Sequence, residues 1–287
     1  DIREQIVATL SDLHGVIYST QAQINVHRPT DSLNAYECLT VAMAYDKYIS
    51  AENHLLARDS LERAIEIDPQ FDEAWAHLSW IYTDEYVHGF NLLPEPMERA
   101  LAAAQKGVRL APGNYHNHWL LSRVHYFMSD KGLFLAESQK ALDLNSSDGT
   151  TLGLIGMYTA YTGDWERGMD MMSKAKLLNP NFPDYYHLIF GSAAFARRDY
   201  DDALRECQKA GLTDFPIFHM FMTASYAWLE RTADATRQLE EWAQVQPGIT
   251  QEFARETLEK FFPFLPDLVE TLMQGLERAG MPAADQS

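Results

Sequence analysis

Small residues return along this chain at a near-constant interval. Ala64, Gly107, Ala141, Ala175 and Ala210 are separated by 43, 34, 34 and 35 residues, and Trp242 stands in the same register 32 residues later. At three of these places a small residue lies seven positions earlier and a proline five positions later: Ala57–Ala64–Pro69, Ala100–Gly107–Pro112 and Gly168–Ala175–Pro180. Self-similarity at this period marks one supersecondary unit repeated in tandem. The small residue has a physical task. It lets one helix approach another closely while bulky neighbours fill the ridges beside it. No single helix pair can bury its apolar face alone, so neighbouring pairs must share a core.

Each unit also opens with its own helix. Trp75, Leu78, Ser79 and Tyr82 resemble the W-x2-L-G-x2-Y frame of the tetratricopeptide (TPR) superfamily, and so do Leu152, Ile155, Gly156, Thr159 and His187, Phe190, Gly191, Ala194. The resemblance covers about four fifths of the chain and implies an all-α fold. That fold is a TPR-type α-α superhelix, a right-handed solenoid of antiparallel helix pairs with C-terminal capping helices. The expected organisation is an N-terminal helix and linker over 1–33, about six helix pairs over 34–248, capping helices over 249–280 and a disordered tail over 281–287. Ile2, Ile6, Val7 and Leu10 share one face of an expected helix over Asp1–Leu13, the edge of an upstream domain. Asp164 and Asp199 are placed to cap second helices, and Asn179-Pro180 and Gln246-Pro247 to stop them. The 43-residue interval places about nine extra residues near Tyr86–Pro96, either an extension of the first helix or a flap.

Charge bounds the partners. Lys and Arg number 23 against 41 Asp and Glu, a net charge of −18. Such a field repels phosphate backbones and anionic membranes. The longest uncharged runs, Gly149–Gly163 and Phe215–Leu229, are 15 residues each, short for a bilayer. Cys38 and Cys207 are far apart and form no CxxC pair, which fits a reducing, cytoplasmic setting. The chain opens on Asp1 rather than Met, as an excised or processed piece would.

A narrower likeness lies near the start. The run Asp1-Ile2-Arg3-Glu4-Gln5-Ile6-Val7-Ala8-Thr9-Leu10, then Arg28-Pro29 and Ser32-Leu33-Asn34-Ala35-Tyr36, resembles a bacterial junction between a TolB-like amino-terminal domain and a TPR array. Such arrays close many class III adenylate/guanylate cyclases and winged-helix transcriptional regulators, and Pro266-Asp267-Leu268 through Gly275-Leu276 and Ala279-Gly280 is similar to their ending. The likeness implies a regulatory or scaffolding region of a larger bacterial signalling protein, without the catalytic part.

Nothing in the sequence argues for catalysis: GxxxxGK[ST], GxGxxG, HExxH and GxSxG are all missing. No cofactor and no metal is expected. His116, His118 and His125 lack a third convergent ligand and read as helix-surface residues; Met169, Met171 and Met172 read as core filler. The best site is the face lined by the first helices. The positions that TPR geometry turns inward hold Trp80, Trp119, Arg123, Tyr126, Phe127, Met157, Tyr161, Tyr185, Phe195 and Trp228, with His116, Leu188 and Met220 among them. Aromatic anchors of this kind suit an apolar peptide or helix from a partner protein, or from a second copy. Two alternatives stay open: the rings pack on one another, or the groove closes on a small ligand as a sensor. Arg123 is the one strong cation of the set, so a clamp for a C-terminal carboxylate of the chaperone-tail type is not expected.

Overall fold

A computed structural model describes residues 33–47, 49–179 and 184–283, and the expected helix over Asp1–Leu13 lies outside them. Among the described residues there are fourteen α-helices and no strand. The helices come in pairs: α1 (Ala35–Met43) with α2 (Ala51–Ile67), α3 (Asp72–His88) with α4 (Pro96–Leu110), and α5 (Tyr115–Phe127) with α6 (Lys131–Leu144). Next are α7 (Gly149–Tyr161) with α8 (Trp165–Leu178), α9 (His187–Ala196) with α10 (Tyr200–Ala210), and α11 (Pro216–Trp228) with α12 (Thr232–Val245). A final pair, α13 (Gln251–Phe261) and α14 (Pro266–Arg278), closes the chain. The chain divides into two compact units. The first runs to Thr159 and takes in Asp170–Asn181; the second comprises Ala160–Met169 and the chain from Phe182 on.

The recurring small residues sit where helices approach most closely. Ala64, Ala141 and Ala175 are wholly buried. A Cβ added to Gly107 would stand 3.1 Å from the Asp72 carbonyl oxygen and 3.2 Å from the Ala76 Cβ, so α4 touches α3 backbone to backbone there. Gly191 on α9 faces α10 the same way, and its added Cβ would fall 2.5 Å from the Cys207 Sγ. Trp242 keeps the register with a large ring instead. It stacks on His219 of α11 at 5.9 Å and 2° and meets Phe253 of α13 at 6.4 Å.

Turn chemistry fixes where each helix starts and stops. Asn34 and Glu37 exchange side-chain-to-backbone hydrogen bonds of 2.9 Å, a capping box that starts α1. Asp130, Asp164 and Asp199 accept the backbone N–H three residues on at the starts of α6, α8 and α10. The residue just before each of these aspartates adopts left-handed backbone: Ser129 at φ 61°, Gly163 at 95° and Arg198 at 62°; Glu230 before α12 does so at 58°. The following N–H reaches back five residues, Asp130 to His125, Asp199 to Ala194 and Arg231 to Tyr226, which closes a Schellman motif. At the C-terminus order extends past the expected boundary. Met281 is buried, and the Pro282 carbonyl accepts from the Gln251 N–H at 2.9 Å, because both seal the base of α13 rather than opening a free tail.

Candidate functional site

In the first unit the inward positions of α3, α5 and α7 build a buried ionic and aromatic network. Arg123 donates to Asp84 Oδ1 at 2.5 Å and to the Tyr158 hydroxyl at 3.1 Å. Its guanidinium lies 4.8 Å above the Trp80 ring and 5.1 Å above Phe127, and the Trp80 Nε1 donates to the other Asp84 oxygen at 3.1 Å. Burial pushes the Asp84 carboxyl up, but Arg123, with His88 and the Tyr45 hydroxyl, more than offsets it and holds the group below the usual carboxylate range. Burial likewise works against the charge on Arg123, and Tyr158 and Asp84 overcome it. Tyr158 is also the hub of the rings, 4.6 Å from Tyr126, 5.7 Å from Phe127 and 5.8 Å from Trp119.

A second pattern ties first helices to second helices. Trp75 Nε1, His118 Nε2 and His219 Nε2, all at the frame's tryptophan position, bond the carbonyls of Pro69, Pro112 and Thr213, each six residues upstream. The histidines add a bond that tryptophan cannot make. His118, His187 and His219 meet Glu137, Glu206 and Gln238 on the paired helix at 2.6, 2.7 and 2.9 Å. At His219, one ring nitrogen donates to the Thr213 carbonyl and the other accepts from the Gln238 amide, so this ring is the neutral tautomer; burial lowers its pKa in agreement. His118 and His125 are therefore buried rather than on the helix surface, and His116 is partly buried; the paired helix α6 covers the His118 side of α5 through Glu137.

In the second unit the corresponding face is occupied by the chain's own C-terminus. The Phe262 ring stands 4.8 Å from Tyr161 and 6.0 Å from Phe221, and Phe221 meets Phe195 at 5.3 Å. Helix α14 lies along α11. A Cβ on Gly275 would fall 2.6 Å from the Ala224 Cβ, Trp228 Nε1 donates to the Thr271 carbonyl at 3.0 Å, and Arg278 sits 3.9 Å over the Trp228 ring. Tyr161 also shares a 3.2 Å hydrogen bond with the Ser192 hydroxyl of α9.

Of the ten residues expected to line a groove, Trp119, Arg123, Tyr126, Phe127, Tyr161 and Phe195 are buried, while Trp80, Met157, Tyr185 and Trp228 keep part of their surface. Leu188 and Met220 are buried as well. The structure joins Trp80, Arg123 and Phe127 around one ion pair, and Tyr161 and Phe195 around Phe221 and Phe262. Arg123 is already engaged by Asp84, so it presents no free charge to a ligand. Three contributors escaped the sequence reading. Asp84 was legible, since it holds in its repeat the frame position of Phe127 and Tyr161. Tyr158 lies one step off the inward positions, and Phe262 belongs to no repeat. Beside Trp80, a shallow apolar cleft opens between Met43, Leu61, His77 and Ile81. Among the described residues no cluster of His, Cys, Asp or Glu is arranged to hold a metal, and no helix is long and apolar enough to cross a membrane.

No family model and no curated protein matches this sequence. Solved structures do match. The chain is similar to a chain in the APC/C hetero-tetramer Cut9–Hcn1 with a TM-score of 0.62 and 17% identity, covering 95% of this chain and 47% of that one. It is similar to human IFIT1, in a dimer with m7Gppp-AAAA, with a TM-score of 0.64 and 16% identity, covering 87% of this chain and 59% of that one. The chain thus spans about half to three fifths of these neighbours. At such identities the likeness concerns the backbone arrangement, and it agrees with the helix pairing and the small-residue register: the fold is all-α, of the tetratricopeptide-repeat type.

Proposed function

We propose that this chain is a protein-interaction module that receives an apolar helix or peptide on the face formed by its first helices. One observation carries the reading. In the second unit that face already holds a helix, with an aromatic anchor, Phe262, between Tyr161 and Phe221 and a glycine, Gly275, against Ala224. A surface that accepts α14 has the shape and chemistry for helix-in-groove recognition. In the first unit, half-exposed Trp80 and its cleft offer the open anchor point. The net charge of −18 favours a protein partner over nucleic acid. The resemblance of the junction motif supports reading the module as the regulatory C-terminal region of a larger bacterial signalling protein without catalysis of its own, and the cysteine usage supports a cytoplasmic setting. The second reading, a small-ligand sensor, draws support from the cleft beside Trp80 alone.

The test is peptide selection from a random library on the full chain, followed by titration of the tightest binders into wild type, Trp80→Ala and Phe262→Ala. Binding should weaken about tenfold with Trp80→Ala for ligands at the open anchor, or tighten with Phe262→Ala for ligands that replace the internal helix. Selected peptides indifferent to both changes would remove this face from the proposal.

A further inference from the structure

The extra residues of the second repeat form neither a simple helix extension nor a loose flap. Helix α3 runs on to His88, and the loop after it is fastened along its length to a buried carboxylate. Glu85 is fully buried and paired with Arg58 at 3.0 Å and Arg99 at 2.5 Å. Those groups also hold the loop backbone. Arg58 donates to the Asn91 carbonyl at 2.9 Å, Arg99 Nε to the Pro94 carbonyl at 3.0 Å, and the Leu93 N–H donates to Glu85 at 3.3 Å. The Asn91 side chain adds a 2.6 Å bond to the Ala51 carbonyl at the start of α2. Two non-glycine residues are kept in left-handed backbone, Asn91 at φ 48° and Glu95 at 54°. Conformations of this kind persist only where the surroundings over-determine them.

What this fixed loop presents is apolar. Leu92 is 60% exposed and Leu93 45%, with prolines at 94 and 96 behind them. Leu55, 40% exposed, shares the α2 face of Ala51 and Arg58, the residues the loop bonds to. Adjacent leucines held in water on a rigid backbone have nothing to gain in the free chain. They need no ordering on binding, which is the condition for a strong contact. The rim is acidic: Glu52, Asp59 and Glu95 are exposed, while Arg58 and Arg99 are engaged by Glu85. We propose that the Leu92–Leu93 tip, with Leu55, is a docking knob for a basic amphipathic helix of a partner protein. The helix's apolar stripe covers the leucines and its lysines or arginines meet the carboxylate rim.

The surface is separate from the first-helix face, so its failure leaves the reading above intact. The probe is a labelled synthetic helix of about four turns with a leucine stripe and lysines elsewhere, and a twin with glutamates for lysines. By fluorescence anisotropy the full chain should bind the lysine helix and not the twin. Leu92→Ser/Leu93→Ser should weaken binding about tenfold or more without moving the melting temperature. Asn91→Ala, which cuts the tie to Ala51, should weaken it as well. Leu177→Ser, at a leucine 76% exposed elsewhere, should not. No binding by wild type, equal binding by the Leu92→Ser/Leu93→Ser variant, or an equal loss with Leu177→Ser overturns the proposal.

Discussion

Replacing Arg123 with Met removes one partner of a buried ion pair while roughly preserving volume. The Arg123 and Asp84 side chains are 7% and 2% exposed, so Asp84 would be left as a buried charge with Trp80 Nε1 as its main remaining donor. Breaking such a pair from one side costs about 3–5 kcal/mol. For a unit of this size that is a fall of roughly 10 °C in melting temperature, read by circular dichroism. Two sharper outcomes are expected of the variant. In Arg123→Met, burial acts on Asp84 with its principal opponent gone and only His88, the Tyr45 hydroxyl and Trp80 Nε1 against it, and raises its carboxyl above the ordinary range. The folded variant then keeps a proton that the unfolded chain releases. Its shortfall against wild type should therefore be smallest below a pH of about 4 and grow as pH rises. Adding Asp84→Leu should then restore much of the loss, since no charge remains buried and half-exposed Trp80 can find water. A shortfall that is constant from pH 4 to pH 8, or a double variant as unstable as Arg123→Met alone, would show that the stranded carboxylate is not the cause.

Gly275→Ala should cost about 1–3 kcal/mol, because the new methyl would meet Ala224 at 2.6 Å and push α14 off α11; Trp228 fluorescence should shift as Arg278 and Thr271 withdraw. Arg198→Gly and Glu230→Gly should each stabilise by roughly 0.5–1 kcal/mol in chemical denaturation, since both residues hold positive φ that glycine adopts freely. Burial lowers the His116 pKa to about 4, against the pull of Asp148, and its Nδ1 is buried without a partner. The folded state thus binds fewer protons than the unfolded one between that value and the ordinary one. Stability should be full above a pH of about 6.5 and fall by up to about 3 kcal/mol as pH drops toward 4, and His116→Asn should flatten that slope.

The repeat register was legible because close helix contact leaves no room for a side chain: Gly107 and Gly191 could not be anything larger without moving a backbone. The caps at Asp164 and Asp199 were legible for an equally local reason, a carboxylate beside unpaired N–H groups. Whether the expected inward positions meet water was not readable. Trp119, Tyr126 and Phe195 are buried among other rings, and whether a ring meets water or another ring depends on residues far away in sequence. Tyr158 decides it for Trp119 and Tyr126 and Phe221 for Phe195, and neither belongs to the inward set. The histidines misled for a related reason. The lack of a third convergent ligand says nothing about burial, and only the paired helix, through Glu137, shows the His118 side of α5 to be covered.

The seating of α14 on α11 has a consequence for where repeats can be added. In a tandem array each first helix docks on the one before it, and the exposed last one is an invitation to add another. Here Ala224 and Trp228 of α11 are taken by Gly275 and Arg278 of α14, so this stretch of the first-helix face is already covered from within the chain. Repeats grafted after Val245 would have to evict α14 from Ala224, and repeats inserted between α7 and α11 would pull Phe262 away from Tyr161, so the spacing between these elements is held by the closing contacts themselves.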